Sequence, residues 1–323
     1  MSSHLVIGLA DIILKWCGDT PEEQERNMCK MLRLFPDHSF LCSAKYASDA
    51  LMTILTREVG PERMYLDSGG YTLFKFSKRV TEGTATQDEY LKRCRAAHKR
   101  FMYFASKYKF GEIFELDNEM YQVNDDLLSP ENFCRNDIKE ITGSYPTPVF
   151  KMDQGMQYWK ALCDSPLYPK LAVGGLAATR SWGDKKMELK VMVDYARQKG
   201  KKVHLLGCSN VATFKLARPD TVDYCVLQFA VNIALVRKDY PDEKEFKNLR
   251  KPMISTMFAR AKARSFLYDS FMKEVEEYEE APDEQTVSSA VDSIIKSEER
   301  ESTLENILEC SIETPCAGVT DDW

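Results

Sequence analysis

Six short apolar runs in this chain share one property: each stops abruptly at a polar or glycine-containing signature. They are MYLDSGG (64–70), EIFELDNE (112–119), TPVFKMDQG (147–155), KLAVGGL (170–176), KVHLLGC (202–208) and TVDYCVL (221–227). Leu, aromatic and β-branched residues dominate them, which suits short strands buried on both faces of a parallel sheet. Segments of helical spacing lie between. Residues 86–107 place Tyr90, Leu91, Cys94, Ala97, Phe101 and Phe104 at steps of mostly three or four, and residues 186–200 end on Gly200, a helix stop. Residues 210–218 suit a shorter helix. In 20–35, Pro21 and the acidic pair Glu22–Glu23 mark a helix start.

Alternating β and α segments imply an α/β fold, and right-handed crossovers then gather every strand's carboxyl end on one side. A (β/α)8 TIM-like barrel is expected, since 323 residues suit one barrel with additions. A doubly wound open sheet would also place ligands at strand ends and stands as the alternative. The amino-terminal stretch is expected to hold further helices. Its first residues, MSSHLVIGLADIILKWCGD, fit a first strand or helix and, lacking a basic segment, do not fit a signal peptide.

Charge divides the chain. Residues 274–323 contain sixteen acidic residues against Lys296 and Arg300, a net of −14, so residues 1–273 carry +8 within a total of −6. The expected domains are therefore a barrel over 1–273 and an acidic, partly disordered carboxyl-terminal tail over 274–323, with one short helix near 302–310. A basic body fits a nucleic-acid partner, because phosphate attraction acts locally. Arg260, Lys262 and Arg264, on a basic helix face, are candidates for backbone contact; a solvated barrel helix is the plainer account. The ten scattered cysteines form no C-x-x-C pair, which fits reduced thiols, a cytoplasmic location and no metal site. No apolar run is long enough to span a membrane.

The strand ends carry the chemistry. Asp67, closing an apolar run, is followed by Ser68, Gly69, Gly70 and Tyr71, giving a carboxylate beside bare backbone and a stacking face. Taken alone, the same letters describe a tight turn. Asp117 suits the donor edge of a guanine-like base, or a helix N-cap. Gln154 offers an amide. Gly174, Gly175 and Leu176 offer backbone N–H groups, or close strand–helix packing. Asp223 lies inside an apolar run, where a carboxylate is unfavourable unless hydrogen-bonded or used; it is the candidate nucleophile.

In this order, DSGGY, LD, QG, AVGGL, LLG before a helix, and D-x-x-D-x-C-V resemble the tRNA-guanine transglycosylase superfamily, over roughly residues 65–231. The spacing and the SWGD…KVHLLG…VD arrangement are most similar to the deazaguanine DNA transglycosylases of the DpdA type, found in bacteriophages and bacterial modification clusters. The resemblance implies a pentosyltransferase that exchanges guanine in DNA for a 7-deazaguanine. Asp223 would be the nucleophile at C1′, Asp67 the acid/base, and Asp117, Gln154 and the Gly174–Gly175 backbone the base-recognition groups, with Tyr71 stacking. It implies no cofactor, a possible homodimer or accessory protein, and the host cytoplasm if phage-encoded. The tRNA enzymes carry a C-x-C-x-x-C…His zinc motif after the nucleophile, which this sequence lacks. Leu227-Gln228-Phe229 stands in place of their Pro-Thr-Arg, and Thr72 in place of a Gln. DNA is therefore expected over tRNA. The alternatives are exchange on tRNA, a non-catalytic nucleic-acid-binding partner of such an enzyme, or an unrelated barrel enzyme acting on a small sugar or nucleoside.

Overall fold

The computed structural model describes residues 3–116, 133–176, 182–208, 210–225, 238–239, 242–278 and 283–312. Eight parallel strands make one curled sheet: β1 (Leu5–Leu9), β2 (Phe40–Ser43), β3 (Met64–Asp67), β4 (Glu112–Ile113), β5 (Val149–Lys151), β6 (Lys170–Gly174), β7 (Lys202–Leu205) and β8 (Thr221–Cys225). Their spatial order is β4-β3-β2-β1-β8-β7-β6-β5. The two end strands approach each other. Phe114, just past β4, forms a parallel bridge with Thr147, just before β5. Thr147 N–H donates to the Ile113 carbonyl (2.8 Å) and Glu115 N–H to the Thr147 carbonyl (3.0 Å).

The helices are α1 (Asp11–Trp16), α2 (Pro21–Leu32), α3 (Asp49–Glu58), α4 (Gly70–Thr81), α5 (Gln87–Lys107), α6 (Phe133–Thr142), α7 (Met156–Asp164), α8 (Trp182–Gln198), α9 (Val211–Ala217), α10 (Glu243–Tyr278) and α11 (Glu284–Ile312). Local chemistry sets their starts. Thr20 caps α2 ahead of Pro21, Ser48 caps α3, and Thr86 with Glu89 forms a reciprocal capping box at α5. All six apolar runs supply strands. The two others, β1 and β2, come from the amino-terminal stretch, whose first residues were expected to form a strand or a helix and which was expected to hold further helices. LVIGL runs straight into the helix-forming ADIILKW, and FLCS is four residues long, so neither shows a period of its own.

Strand alternation sorts side chains into two layers. Outward residues such as Ile7, Phe40, Leu66, Leu171, Val203 and Val222 join the core beneath the helices. Inward residues Val6, Leu41, Phe114, Val149 and Ala172 form a separate buried cluster. Strand register puts Asp223 beside Val6 and Asp67 beside Ser43, so both aspartates belong to the inner face. Towards the amino-terminal end of that face, Lys170 pairs with Glu112 (2.9 Å) and lies over the rings of Tyr65 and Phe114.

One ion pair reinforces the short β4–β5 seam from outside. Arg135 of α6 is fully buried and makes a bidentate pair with Glu115, Nε to Oε2 at 2.5 Å and Nη2 to Oε1 at 3.0 Å. Tyr158 and Tyr168 hydroxyls accept two further guanidinium hydrogens, and Glu115 Oε1 accepts the Val149 N–H of β5 (2.7 Å). Burial opposes the charge on Arg135, and the Glu115 carboxylate more than offsets that opposition.

The carboxyl-terminal segment corrects the sequence expectation. The boundary at 273/274 falls inside α10, and a 29-residue helix, α11, stands where a weakly structured tail was expected. Val287 and Val291 of α11 enter the main core, with Ile294 and Ile295 packed against it. Glu298 accepts the Met156 N–H at the start of α7 (2.9 and 3.1 Å), and Asp292 meets Lys160 (3.2 Å). Overall acidity concealed an ordinary apolar stripe at helical spacing, and several of those acids have structural partners. Among the described residues no helix is long and apolar enough to cross a membrane.

Two stability tests follow. Glu115→Ala leaves a buried guanidinium unpaired, so urea denaturation is expected to show a loss of about 3–5 kcal/mol. A midpoint within error of the parent would show that the pair does not hold the seam. Truncation after Glu280 is expected to lower the midpoint clearly, because it uncovers the apolar core under Val287 and Val291. An unchanged midpoint would restore the picture of a dispensable tail.

Candidate active site

The sharp turn after β3 builds one half of the site. Gly69 adopts φ +85°, and a Cβ there would lie 2.9 Å from the Lys45 Cβ and 3.0 Å from the Ser43 hydroxyl. Both the backbone conformation and the close approach require glycine. The turn lets the chain enter α4 at Gly70 immediately after β3, leaving Asp67 at the strand's carboxyl end. Gly69 N–H donates to Asp67 Oδ2 (3.1 Å), and Gly70 N–H donates to the hydroxyl of buried Ser68 (3.3 Å).

Asp67 is half-buried and its carboxyl is pushed up to about 6. Loss of solvation is the main cause, with the nearby Asp223 charge adding to it. The polar groups beside it, the Ser43 hydroxyl and the Gly69 and Ser68 backbone N–H, oppose the rise. Two aspartates separated by most of the barrel sequence therefore sense each other's charge.

Asp223 forms the other half. It is 5% exposed, and Gly207 N–H donates to its Oδ1 at 2.5 Å. His204, fully buried on β7, brings Nε2 within 3.4 Å of the same oxygen without a well-aligned hydrogen bond, while its Nδ1 meets the Thr221 hydroxyl at 2.8 Å. Burial depresses the imidazole's basicity, despite the opposing pull of Asp223. Asp223 Oδ2 accepts no hydrogen bond among the described residues. His204 was missed in the sequence because it sits mid-run in KVHLL. Its one signal was a polar residue at an inward position two ahead of Leu206.

The remaining candidates divide. Tyr71, in the first turn of α4, is 46% exposed, with the Lys75 ammonium 4.5 Å from its ring centre. Gln154 is half-buried, and its Oε1 accepts the Lys151 N–H (2.7 Å), so at least that end of the amide serves the turn after β5. Gly174 is buried at the end of β6. Gly175, at φ +75°, has open space where a side chain would stand. Leu176 is 2% exposed within the outer core, so its side chain packs. Asp117 lies outside the described residues, as do Leu227, Gln228 and Phe229.

The basic trio chosen from the sequence is less well placed. Arg260 and Lys262 are exposed on α10, but the Lys262 charge acts on His38, which precedes β2 at the amino-terminal end of the strands. Arg264 is half-buried, with its guanidinium 4.9 Å from the Tyr224 ring centre. No cluster of His, Cys, Asp or Glu arranged for a metal ion occurs among the described residues. Neither a family model nor a curated protein matches the chain by sequence.

The elevated Asp67 value has a thermodynamic signature. Between the unfolded carboxyl's ordinary range and about 6, the folded protein holds a proton that the unfolded chain has released. Stability contributed by this group therefore falls as pH rises through that window, and the penalty persists above it. Asp67→Asn is expected to stabilise the protein by about 2 kcal/mol at about pH 8, the gain shrinking towards zero at about pH 4. Equal effects at both pH values would refute the buried, charge-coupled environment.

Proposed function

We propose that this protein is a base-exchange transglycosylase, a pentosyltransferase on a closed (β/α)8 barrel that replaces guanine in DNA with a 7-deazaguanine. The observation that carries the reading is the electrostatically coupled carboxylate pair at the mouth of the barrel, with Asp67 poised near 6. Full closure is supported by the Phe114–Thr147 bridge across the seam. Two carboxyl groups with divided duties are what displacement at a sugar C1′ requires, and a carboxyl near 6 donates a proton close to neutral pH.

In this scheme Asp223 Oδ2 attacks C1′, and the bond from C1′ to the guanine nitrogen breaks with its electron pair moving to the base. Asp67 gives its proton to the departing guanine. The sugar is then held on Asp223 as an ester. The incoming 7-deazaguanine gives its ring N–H proton to Asp67, its nitrogen attacks C1′, and the ester C–O bond breaks to regenerate the carboxylate. The glycosidic bond is exchanged and not hydrolysed, so the scheme requires neither cofactor nor external energy. Gly207 N–H holds the nucleophile, and the neutral His204 beside it does not compensate its charge. A base reaching this depth must leave its stack, so a flipped or single-stranded nucleotide is expected.

The test is release of label from guanine-labelled DNA, and in parallel from bulk tRNA, on addition of a 7-deazaguanine. Release from DNA is the expected outcome, and Asp223→Ala is expected to reduce it by at least about a thousandfold while leaving nucleic-acid binding intact. Release from tRNA alone would move the substrate to RNA. Tight binding without release from either would leave a non-catalytic partner. An Asp223→Ala protein of full activity would remove the nucleophile assignment.

A further inference from the structure

Beside the Ser68–Gly69 turn, a cleft of about 370 Å³ opens between α4, α5 and the loop after β2. Its wall includes Lys45, Lys75, Arg79, Arg93 and Arg100, together with Thr72 and Phe76, and no acidic residue. All five cations are exposed, and none makes an ion pair among the described residues. Arg100 is a structural part of the wall, donating to the Ala44 and Ala47 carbonyls (2.6 and 2.5 Å) and thereby fixing the loop that carries Lys45. The Arg79 and Arg93 guanidinium groups lie 5.1 and 4.1 Å from the Phe76 ring centre, so they are positioned by packing against that ring. One carboxylate feels Arg79 and Arg93, that of Glu89, and it is committed to the Thr86 N–H and hydroxyl at the start of α5.

A second observation points to the same ligand. Three large aromatic side chains stand exposed on two of the same segments: Tyr46 (43%), Tyr71 (46%), with the Lys75 ammonium 4.5 Å from its ring centre, and Phe74 (39%), with that of Lys78 at 4.8 Å. Tyr46 is tied to α4 through the Thr72 hydroxyl (3.3 Å), and Tyr71 and Phe74 lie one helical turn apart on α4. Exposed aromatic rings interleaved with unpaired cations are the usual platform for a single nucleic-acid strand, whose bases stack while its phosphates are neutralised. A cleft of similar size near Cys29 shows the contrast. Its wall includes Glu22, Glu25 and Glu58, and its Arg33 and Arg57 are paired with Glu58 and Glu25.

We propose that the α4–α5 cleft holds the phosphodiester backbone of the DNA strand whose base enters the barrel. Lys45, Lys75, Arg79 and Arg93 contact its phosphates, and Tyr46, Tyr71 and Phe74 receive bases flanking the extruded one. The choice of a polynucleotide as ligand rests on the base-exchange reading; the location of its backbone does not come from that reading. The cleft adjoins the turn that fixes Asp67, so a strand seated there delivers its nucleotide to the carboxylate pair without crossing the molecule. It also moves the nucleic-acid surface from α10, where Lys262 lies towards the opposite end of the barrel, to the helices that flank the mouth.

Fluorescence anisotropy with a labelled single-stranded DNA oligonucleotide, titrated over a range of salt, tests this directly and without catalysis. The triple variant Lys75→Glu, Arg79→Glu, Arg93→Glu is expected to bind at least about tenfold more weakly at low salt, with the slope of log affinity against log salt shallower by about 2. Arg260→Glu, Lys262→Glu is expected to bind as the parent does. Circular dichroism and the urea midpoint of both variants check that folding is intact, and Tyr71→Ala gives an independent reading through stacking, expected to weaken binding several-fold with an unchanged salt slope. Parental affinity and slope in the folded triple variant would overturn the proposal, as would a loss confined to the α10 variant or a parent with no affinity for the oligonucleotide. A competing RNA oligonucleotide that binds in the cleft far more tightly than DNA would overturn the choice of DNA. Weakened binding by the triple variant together with no base exchange by the parent would sustain the cleft while removing the proposed activity. Exchange by the parent with unaltered binding by the triple variant would do the reverse.

Discussion

The seam between β4 and β5 is the constraint on which the rest of this structure depends. The other seven strand contacts are parallel ladders of two to four registered pairs, whereas β4 and β5 are linked by a single backbone bridge beside them, at Phe114 and Thr147. A two-residue β4 cannot supply more. The protein compensates with a carboxylate: Glu115 takes the Arg135 guanidinium from the helix layer and the Val149 N–H from the facing strand. A buried ion pair adds little to stability on average, because desolvation opposes it, but here its geometry is specific. It fixes where the sheet's two ends meet, and so the curvature that brings the β3 and β8 carboxyl ends towards a common space.

From that curvature the electrostatics of the mouth follow. Asp67 and Asp223 occupy inner positions on strands separated by β2 and β1, and each is held by a backbone N–H from the turn beside it, Gly69 and Gly207 respectively. The protein thus spends backbone donors, not cations, on its two carboxylates. No arginine or lysine salt bridge quenches either one among the described residues, and His204, beside Asp223, is driven towards its neutral form by burial. Leaving two carboxyl groups close together without a counter-ion is unfavourable for folding. Both carboxyl groups lie at the carboxyl end of a parallel sheet, the end at which this architecture carries its ligand sites.

Cations stand instead beside the turn after β3, on α4, α5 and the loop after β2, where they are exposed and several lie against aromatic rings. Charge is thus divided, with the two carboxylates on the inner face of the sheet and these cations on the helices beside it. The acid-rich carboxyl-terminal helix does not blur that division. Its described acids include Asp292 and Glu298, which are used against Lys160 and the start of α7.

The sequence by itself determined the alternation of strands and helices, six of the eight strands, and the polar residue at each strand's exit. It could do so because a buried parallel strand and an amphipathic helix each impose a local pattern that survives without tertiary context. It also marked Asp223, since a carboxylate inside an apolar run is conspicuous. The tertiary structure alone decided what depends on which faces meet. That covers β1 and β2, too short or too merged with a helix to show a period; the docking of α11, whose Val287 and Val291 stripe was masked by its acidity; and the placement of His204 beside Asp223. It also decided which cations flank the mouth. Lys75, Arg79 and Arg93 carry no motif in a linear reading, whereas Arg260, Lys262 and Arg264 looked like a patch because they are close in sequence. Charge acts through space, and only the fold says which charges are near one another.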